Sequence, residues 1–211
     1  MQHAVFPFLY GITDSQLMPG NLLEQKVEAA LKAGLKLVQY RDKSEAHKAR
    51  LREAKILQAL CQKYSAIFIV NDDVELALTA GADGVHLGQE DQKISYARRL
   101  LGNKAIIGAT CHNSLDLAAK AIEDGANYLA FGRFFSSKTK ANAPTADLEI
   151  LSQAKINFNV PIVAIGGVNE NNAEKVWQAG ADCVAICHAL FAHDDPTLSI
   201  ENIKNKYPGK R

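Results

Sequence analysis

The sequence has no excess of either charge: 24 Lys and Arg stand against 23 Asp and Glu, for a formal net charge of +1. So balanced a chain lacks the basic field that draws nucleic acid, and any anion it binds must be held by a local cluster. Cysteine is scarce. Cys61, Cys111, Cys183 and Cys187 form no Cys-x-x-Cys pair and match no zinc spacing. They are expected to be free, largely buried thiols in a reducing compartment. Long apolar runs are missing too. The stretch 6–12 is too short for a signal or membrane segment, and no basic segment and cleavage site frame it. The expectation is a cytoplasmic protein without a membrane partner. Gly-x-Gly-x-x-Gly after the first strand, a nucleophile elbow, a Ser-His-Asp order and glycosidase-type paired carboxylates are all lacking. No linker or low-complexity stretch divides the chain, so a single domain over 1–211 is expected, with its core at about 8–200. The polar tail 201–211, which contains Pro208-Gly209, is expected to fray.

What the chain does have is alternation. Apolar residues make up 47% of its 211 residues, enough for a full core. Short apolar runs at 8–13, 35–40, 67–70, 84–87, 106–109, 127–131, 162–165 and 183–186 are candidate strands, eight in all. Each is followed by a segment that can form a helix, the third and fourth of them short; 114–123 and 171–178 carry the clearest apolar stripes. Short apolar strands separated by helices point to parallel pairing buried on both faces. One joint recurs between a helix and the next strand: Ala33-Gly34, Ala80-Gly81-Ala82-Asp83, Asp124-Gly125-Ala126-Asn127 and Ala179-Gly180-Ala181-Asp182. Glycine there relieves the left-handed cap conformation that a β-carbon resists. Eight such units close most naturally into an α/β fold of the (β/α)8 TIM-barrel type; an open doubly wound sheet is the other architecture.

Barrels of this kind carry their chemistry on loops after the strands, and the polar clusters fall there: 39–43, Asn71-Asp72-Asp73, 88–91, 110–113, Gly132-Arg133 with 136–140, and Gly166-Gly167. Arg41, Lys43 and Lys140 are placed to converge on an anion, and Asp72 and Asp91 to hold a hard divalent cation. The combination points to a Mg2+–pyrophosphate pair, because Mg2+ prefers a few carboxylates completed by phosphate oxygens and water. Gly166-Gly167 would let backbone amides approach a second phosphate. Two anion sites imply two phosphorylated substrates.

Each cluster also has a plainer reading. Asp72 with Glu75 fits a helix capping pair. Arg41 and Lys43 fit solvated loop charges, Gly166-Gly167 a tight turn, and 136–140 a polar loop. His86 fits an interior residue of the barrel, and His112 either a substrate contact or a helix cap. His193-Asp194-Asp195 before Pro196 fits a helix-boundary turn better than a metal trio.

Across almost the whole chain, from Leu9-Tyr10-Gly11-Ile12-Thr13-Asp14 to Ala189, the sequence resembles the thiamine phosphate synthase family. The motifs that carry the resemblance are Gln39-x-Arg41-x-Lys43, Asn71-Asp72, the unbroken block from Gly81 to Asp91, Thr139-Lys140, and Ala164 to Gly167. The resemblance implies that Gln39, Tyr40, Arg41, Asp42, Lys43, Asn71, Thr110 and Lys140 bind a pyrimidine pyrophosphate. It implies that Asp72 and Asp91 hold Mg2+, and that Ser137, Lys138, Thr139, Gly167, Cys187 and His188 receive a thiazole phosphate. Arg41, Lys43 and Lys140 would be catalytic. The chain departs from the family at Thr110 and Ser136-Ser137, which keep a hydroxyl, and at Arg133 and Cys187-His188, which do not follow the usual residues. The implied reaction is a Mg-assisted dissociative substitution joining the two substrates, carboxylated thiazole included, with release of pyrophosphate. A thiazole tautomerase of a related barrel and a non-catalytic thiamine-phosphate sensor are the alternatives. No nucleic-acid partner is expected, and a homo-oligomer is compatible with the sequence.

Overall fold

The structure, a computed structural model, describes residues 6–136 and 145–210. Eight parallel strands close a barrel in sequence order: β1 (Leu9–Ile12), β2 (Leu37–Tyr40), β3 (Ile67–Asn71), β4 (Gly84–Leu87), β5 (Ile106–His112), β6 (Tyr128–Phe131), β7 (Ile162–Ile165) and β8 (Cys183–Ile186). The ring is completed where Leu9, Tyr10 and Gly11 pair with Val184, Ala185 and Ile186. Eight strands were expected, and the bounds agree closely at β4, β7 and β8. β5 runs three residues beyond the expected 106–109, because a register shift between Thr110 and His112 lets the strand continue on β6.

Around the sheet stand α1 (Leu22–Lys32), α2 (His47–Lys63), α3 (Val74–Ala80), α4 (Ile94–Leu101), α5 (Leu115–Glu123), α6 (Glu149–Asn157), α7 (Ala173–Gln178), α8 (His188–Phe191) and α9 (Pro196–Lys206). Alternate strand residues face opposite ways, which produces two cores. Val38, Phe68, Val70, Val85, Leu129 and Val184 pack outward against the helices. Tyr10, Ile12, Leu37, Ile69, Tyr128, Val163 and Cys183 fill the barrel interior. Each fully buried side chain of this size contributes about 1.5–3 kcal/mol. Burial on both faces explains why the strands are runs rather than alternations.

The recurrent joints do two jobs. Gly34, Gly81, Gly125 and Gly180 all have positive φ, between 72° and 115°. Just past three of them, Asp83, Asn127 and Asp182 accept the amides of Phe68, Ile107 and Ile162 at 2.8, 2.8 and 2.9 Å. Each therefore fastens the start of its own strand to the neighbouring strand.

The C-terminal tail overturns its expectation. Residues 196–206 form α9, with Ile200 and Ile203 buried and Tyr207 edge-on to Trp177 at 4.7 Å. Lys204 Nζ donates to the Ala33 carbonyl at 2.6 Å. The segment is polar on one face only, so its composition concealed a docked helix. His193-Asp194-Asp195 is the turn before it: Asp195 caps α9 by accepting the Thr197 amide at 2.8 Å. Among the described residues no helix is long and apolar enough to cross a membrane.

Candidate active site

At the C-terminal ends of β2, β3 and β4 the expected charges meet. Lys43 Nζ lies 3.0 Å from Asp72 Oδ2. Asp72 shares a hydrogen bond with Asp91, whose Oδ2 also accepts the Gly88 amide at 2.7 Å. Asp72 has a positive φ of 64°, and its amide donates to the His86 carbonyl at 2.9 Å. This turn aims the carboxylate across the mouth instead of along the helix. Capping α3 falls to the next residue: Asp73 accepts the Leu76 amide at 2.8 Å and pairs with Arg50 at 3.0 Å. The capping reading thus belongs to Asp73, not Asp72.

The acidic pair is electrostatically strained. Burial raises the Asp72 carboxyl, but its bond with Asp91 and the Lys43 ammonium outweigh burial and hold it below the usual carboxylate range. Burial first, then the bond to Asp72, lift Asp91 above that range. Two carboxylates this close favour sharing one proton, and a hard divalent cation is the natural replacement for it. Among the described residues no third acidic, His or Cys side chain joins them in a metal-ligand cluster. That donor set fits Mg2+, which takes its remaining oxygens from phosphate and water.

Arg41 stands on the same rim. Its amide donates to Thr13 Oγ1 at 2.8 Å, and its Nη1 approaches Asp14 at 3.8 Å. Its Nε is buried without a hydrogen-bond partner among the described residues. A buried donor of this kind costs about 1–3 kcal/mol unless an acceptor reaches it. Asn71, at the end of β3, lines a cleft of ≈ 380 Å³ together with Asp42, Lys43 and Asp72. Gln39 and Thr110 point into the barrel below it and are hydrogen-bonded to Tyr10 and His86. The Gln89 side-chain amide caps the Thr110 carbonyl.

One of the expected residues faces elsewhere. Tyr40 is turned outward into the helix layer, and its hydroxyl donates to Glu53 at 2.8 Å. Burial and the Glu53 carboxylate raise its phenol further above its ordinary value. Asp42 is engaged with Ser44, accepting its amide and hydroxyl at 2.9 Å each. A contact from Tyr40 to a ligand at the mouth would have to come from its backbone.

On the far side of the mouth, Gly166 and Gly167 follow β7 with φ of 98° and 68°. A β-carbon at Gly167 would overlap the Ser136 carbonyl, and one at Gly166 would overlap Arg133. The Phe135 amide donates to the Gly166 carbonyl at 3.0 Å. The glycines therefore let the loop after β6 lie directly on the loop after β7. Cys187 and His188 begin α8 just past β8, on the same rim. Ser137, Lys138, Thr139 and Lys140 lie outside the described residues. His112 ends β5, and Ser114 rather than His112 caps α5, accepting the Leu117 amide at 3.2 Å.

The sequence reading missed Tyr10 and Tyr128, whose hydroxyls lie 2.9 Å apart inside the barrel. Their signal was the inward parity of two polar aromatics in short strands. A larger cavity of ≈ 1010 Å³ lies at the opposite end, among Phe6, Gly34, Pro161 and Asp182. That end carries the strand joints, and catalytic groups in such barrels sit at the other.

Residues 9–190 match the family model described as thiamine monophosphate synthase. The chain is 52% identical over 188 residues to the thiamine-phosphate synthase of Saccharophagus degradans, covering 89% of this chain and 87% of that one. It is 53% identical over 185 residues to that of Marinobacter nauticus, covering 88% and 83%. Among solved structures, thiamine phosphate pyrophosphorylase from Pyrococcus furiosus is 34% identical, with a TM-score of 0.86 and 96% of each chain covered.

Proposed function

The chain belongs to the thiamine monophosphate synthase family, and from that footing we propose that it joins a pyrimidine pyrophosphate to a thiazole phosphate by Mg-assisted dissociative substitution. The observation that carries the mechanism is the meeting of Lys43, Asp72 and Asp91 at one barrel mouth. In the reaction the bond from the pyrimidine methylene to pyrophosphate breaks, the aminopyrimidine spreads the positive charge, and the thiazole nitrogen forms the new bond.

Asp72 and Asp91 would hold the Mg2+, which when bound neutralises charge on the departing pyrophosphate. Lys43 supplies a point charge to the same oxygens, and Arg41 offers its buried Nε, unpartnered among the described residues. Lys140 completes the cationic set in this reading. Gln39, Asn71 and Thr110 orient the pyrimidine, and Gly167, Cys187, His188 and the run 137–139 receive the thiazole phosphate. The chain needs no nucleophile of its own; it orients the two substrates and excludes the water that would trap the cation. A tautomerase or a sensor has no use for a paired acidic site with a lysine against it.

The direct test is pyrophosphate release on mixing both substrates, with and without Mg2+. Metal-dependent release requiring both substrates supports the reading; isomerisation of the thiazole alone, or binding without turnover, overturns it.

A further inference from the structure

The helix that follows β8 is too short to hold itself. α8 spans four residues, His188–Phe191, and a single turn is marginal in water because its nucleus fixes several residues for one hydrogen bond. The last carbonyls of a helix have no partner within it. Here side chains from two other helices take them. Ser199 Oγ of α9 donates to the Ala189 carbonyl at 3.1 Å. Lys26 Nζ of α1 donates to the Phe191 carbonyl at 2.9 Å and to the His193 carbonyl, in the turn beyond, at 2.8 Å. Leu190 and Phe191 also lie over Gly11 of β1, where a β-carbon would crowd Leu190.

Lys26 is costly where it stands. Among the described residues it is the one lysine or arginine that is buried, at 8% exposure. It shares the inward face of α1 with Leu23, Val27, Ala30 and Leu31. Both of its partners are carbonyls, and no carboxylate of the described residues pairs with it. An apolar side chain would fill this place without burying a strong donor. The lysine adds one thing that such a side chain cannot: two bonds to the end of α8, 165 and 167 residues further along the chain. A turn of four residues is only about 6 Å long, so a displacement at Phe191 is carried to Cys187 and His188 at the other end.

We propose that Lys26 is a positioning residue for the thiazole phosphate: by gripping α8 at its C-terminal end, it fixes the start of α8 at the barrel mouth. The inference rests on the proposed placing of that phosphate against Gly167, Cys187 and His188. β7 and β8 are paired neighbours, so the loops that carry these residues share one side of the rim. Lys26 acts through α8 alone. The pyrimidine side of the mouth, at the ends of β2 to β4, is held by contacts of its own, among them Lys43 with Asp72 and the Gly88 amide with Asp91. Loss of Lys26 therefore falls on one substrate and spares the other. Displacing a positioned group by a fraction of an ångström is enough to weaken its bonds to a ligand.

The test measures KM for each substrate by pyrophosphate release, with the other saturating, in the wild type, Lys26→Met, Ser199→Ala and Val27→Ala. Lys26→Met keeps an apolar stem and removes both bonds. It should raise KM for the thiazole phosphate about tenfold, the worth of one hydrogen bond, and leave KM for the pyrimidine pyrophosphate unchanged. Ser199→Ala removes the second grip on α8 and should move the ratio of the two KM values in the same direction by a smaller factor. Val27 follows Lys26 on α1 and is fully buried. Val27→Ala loosens the helix without removing those bonds, and the ratio should stay at its wild-type value. A folded Lys26→Met protein with the wild-type ratio overturns the proposal. So does a Val27→Ala protein whose ratio moves as far as that of Lys26→Met, since general loosening then explains both. Should Lys26→Met not fold, Ser199→Ala against Val27→Ala decides. A wild type that releases no pyrophosphate from the two substrates refutes the functional reading itself, and this proposal with it.

Discussion

Lys43 Nζ and Asp72 Oδ2 face each other at 3.0 Å across the mouth, yet the lysine side chain is 58% exposed. A pair so open to water contributes about 0–1 kcal/mol to folding. On the proposed function, its value lies in holding charge where a pyrophosphate would arrive. Lys43→Ala is therefore expected to shift stability by less than about 1 kcal/mol and to lower kcat/KM by orders of magnitude. Thermal unfolding and steady-state kinetics on one preparation check both halves.

Asp73 should behave in the opposite way. It caps α3 and pairs with Arg50, whose side chain is only 12% exposed. Asp73→Ala removes the cap and leaves Arg50 short of a partner, at a cost of about 1–3 kcal/mol. Mg2+ dependence should be retained. Urea unfolding with a metal titration of activity separates this residue from its neighbour Asp72.

Gly108 is expected to be intolerant of a methyl group. The added carbon would collide with the Tyr128 ring inside the barrel, so Gly108→Ala should destabilise by about 1–3 kcal/mol through overpacking. Denaturant unfolding measures the loss.

In α9, Ile203 is 1% exposed. Ile203→Ala should cost about 2–5 kcal/mol if the segment is docked as described. A frayed tail would show almost no change in the same unfolding experiment.

The strands and their glycine joints were legible because parallel strands buried on both faces are continuous apolar runs and left-handed caps favour glycine. Asp91, Lys43 and Arg41 were legible as polar residues just after such runs. The cap was not: Asp72 and Asp73 are adjacent carboxylates that fit one pattern, and only the positive φ of Asp72 separates them. Tyr40 sat in a polar cluster, but strand parity turns its side chain toward Glu53. Tyr10 and Tyr128 have the pattern of ordinary core aromatics until their hydroxyls are seen to meet. The docked face of α9 rests on Ile200 and Ile203 among polar neighbours, too sparse a stripe to outweigh composition.

On the proposed function, Asp72 and Asp91 act together as the metal-holding pair. The most direct measurement is Mg2+-dependent pyrophosphate release by Asp72→Ala and Asp91→Ala, with circular dichroism to confirm folding. Folded variants whose turnover falls by orders of magnitude and no longer responds to Mg2+ are expected. Two folded variants with wild-type rates and unchanged metal response would rule out that role for the pair.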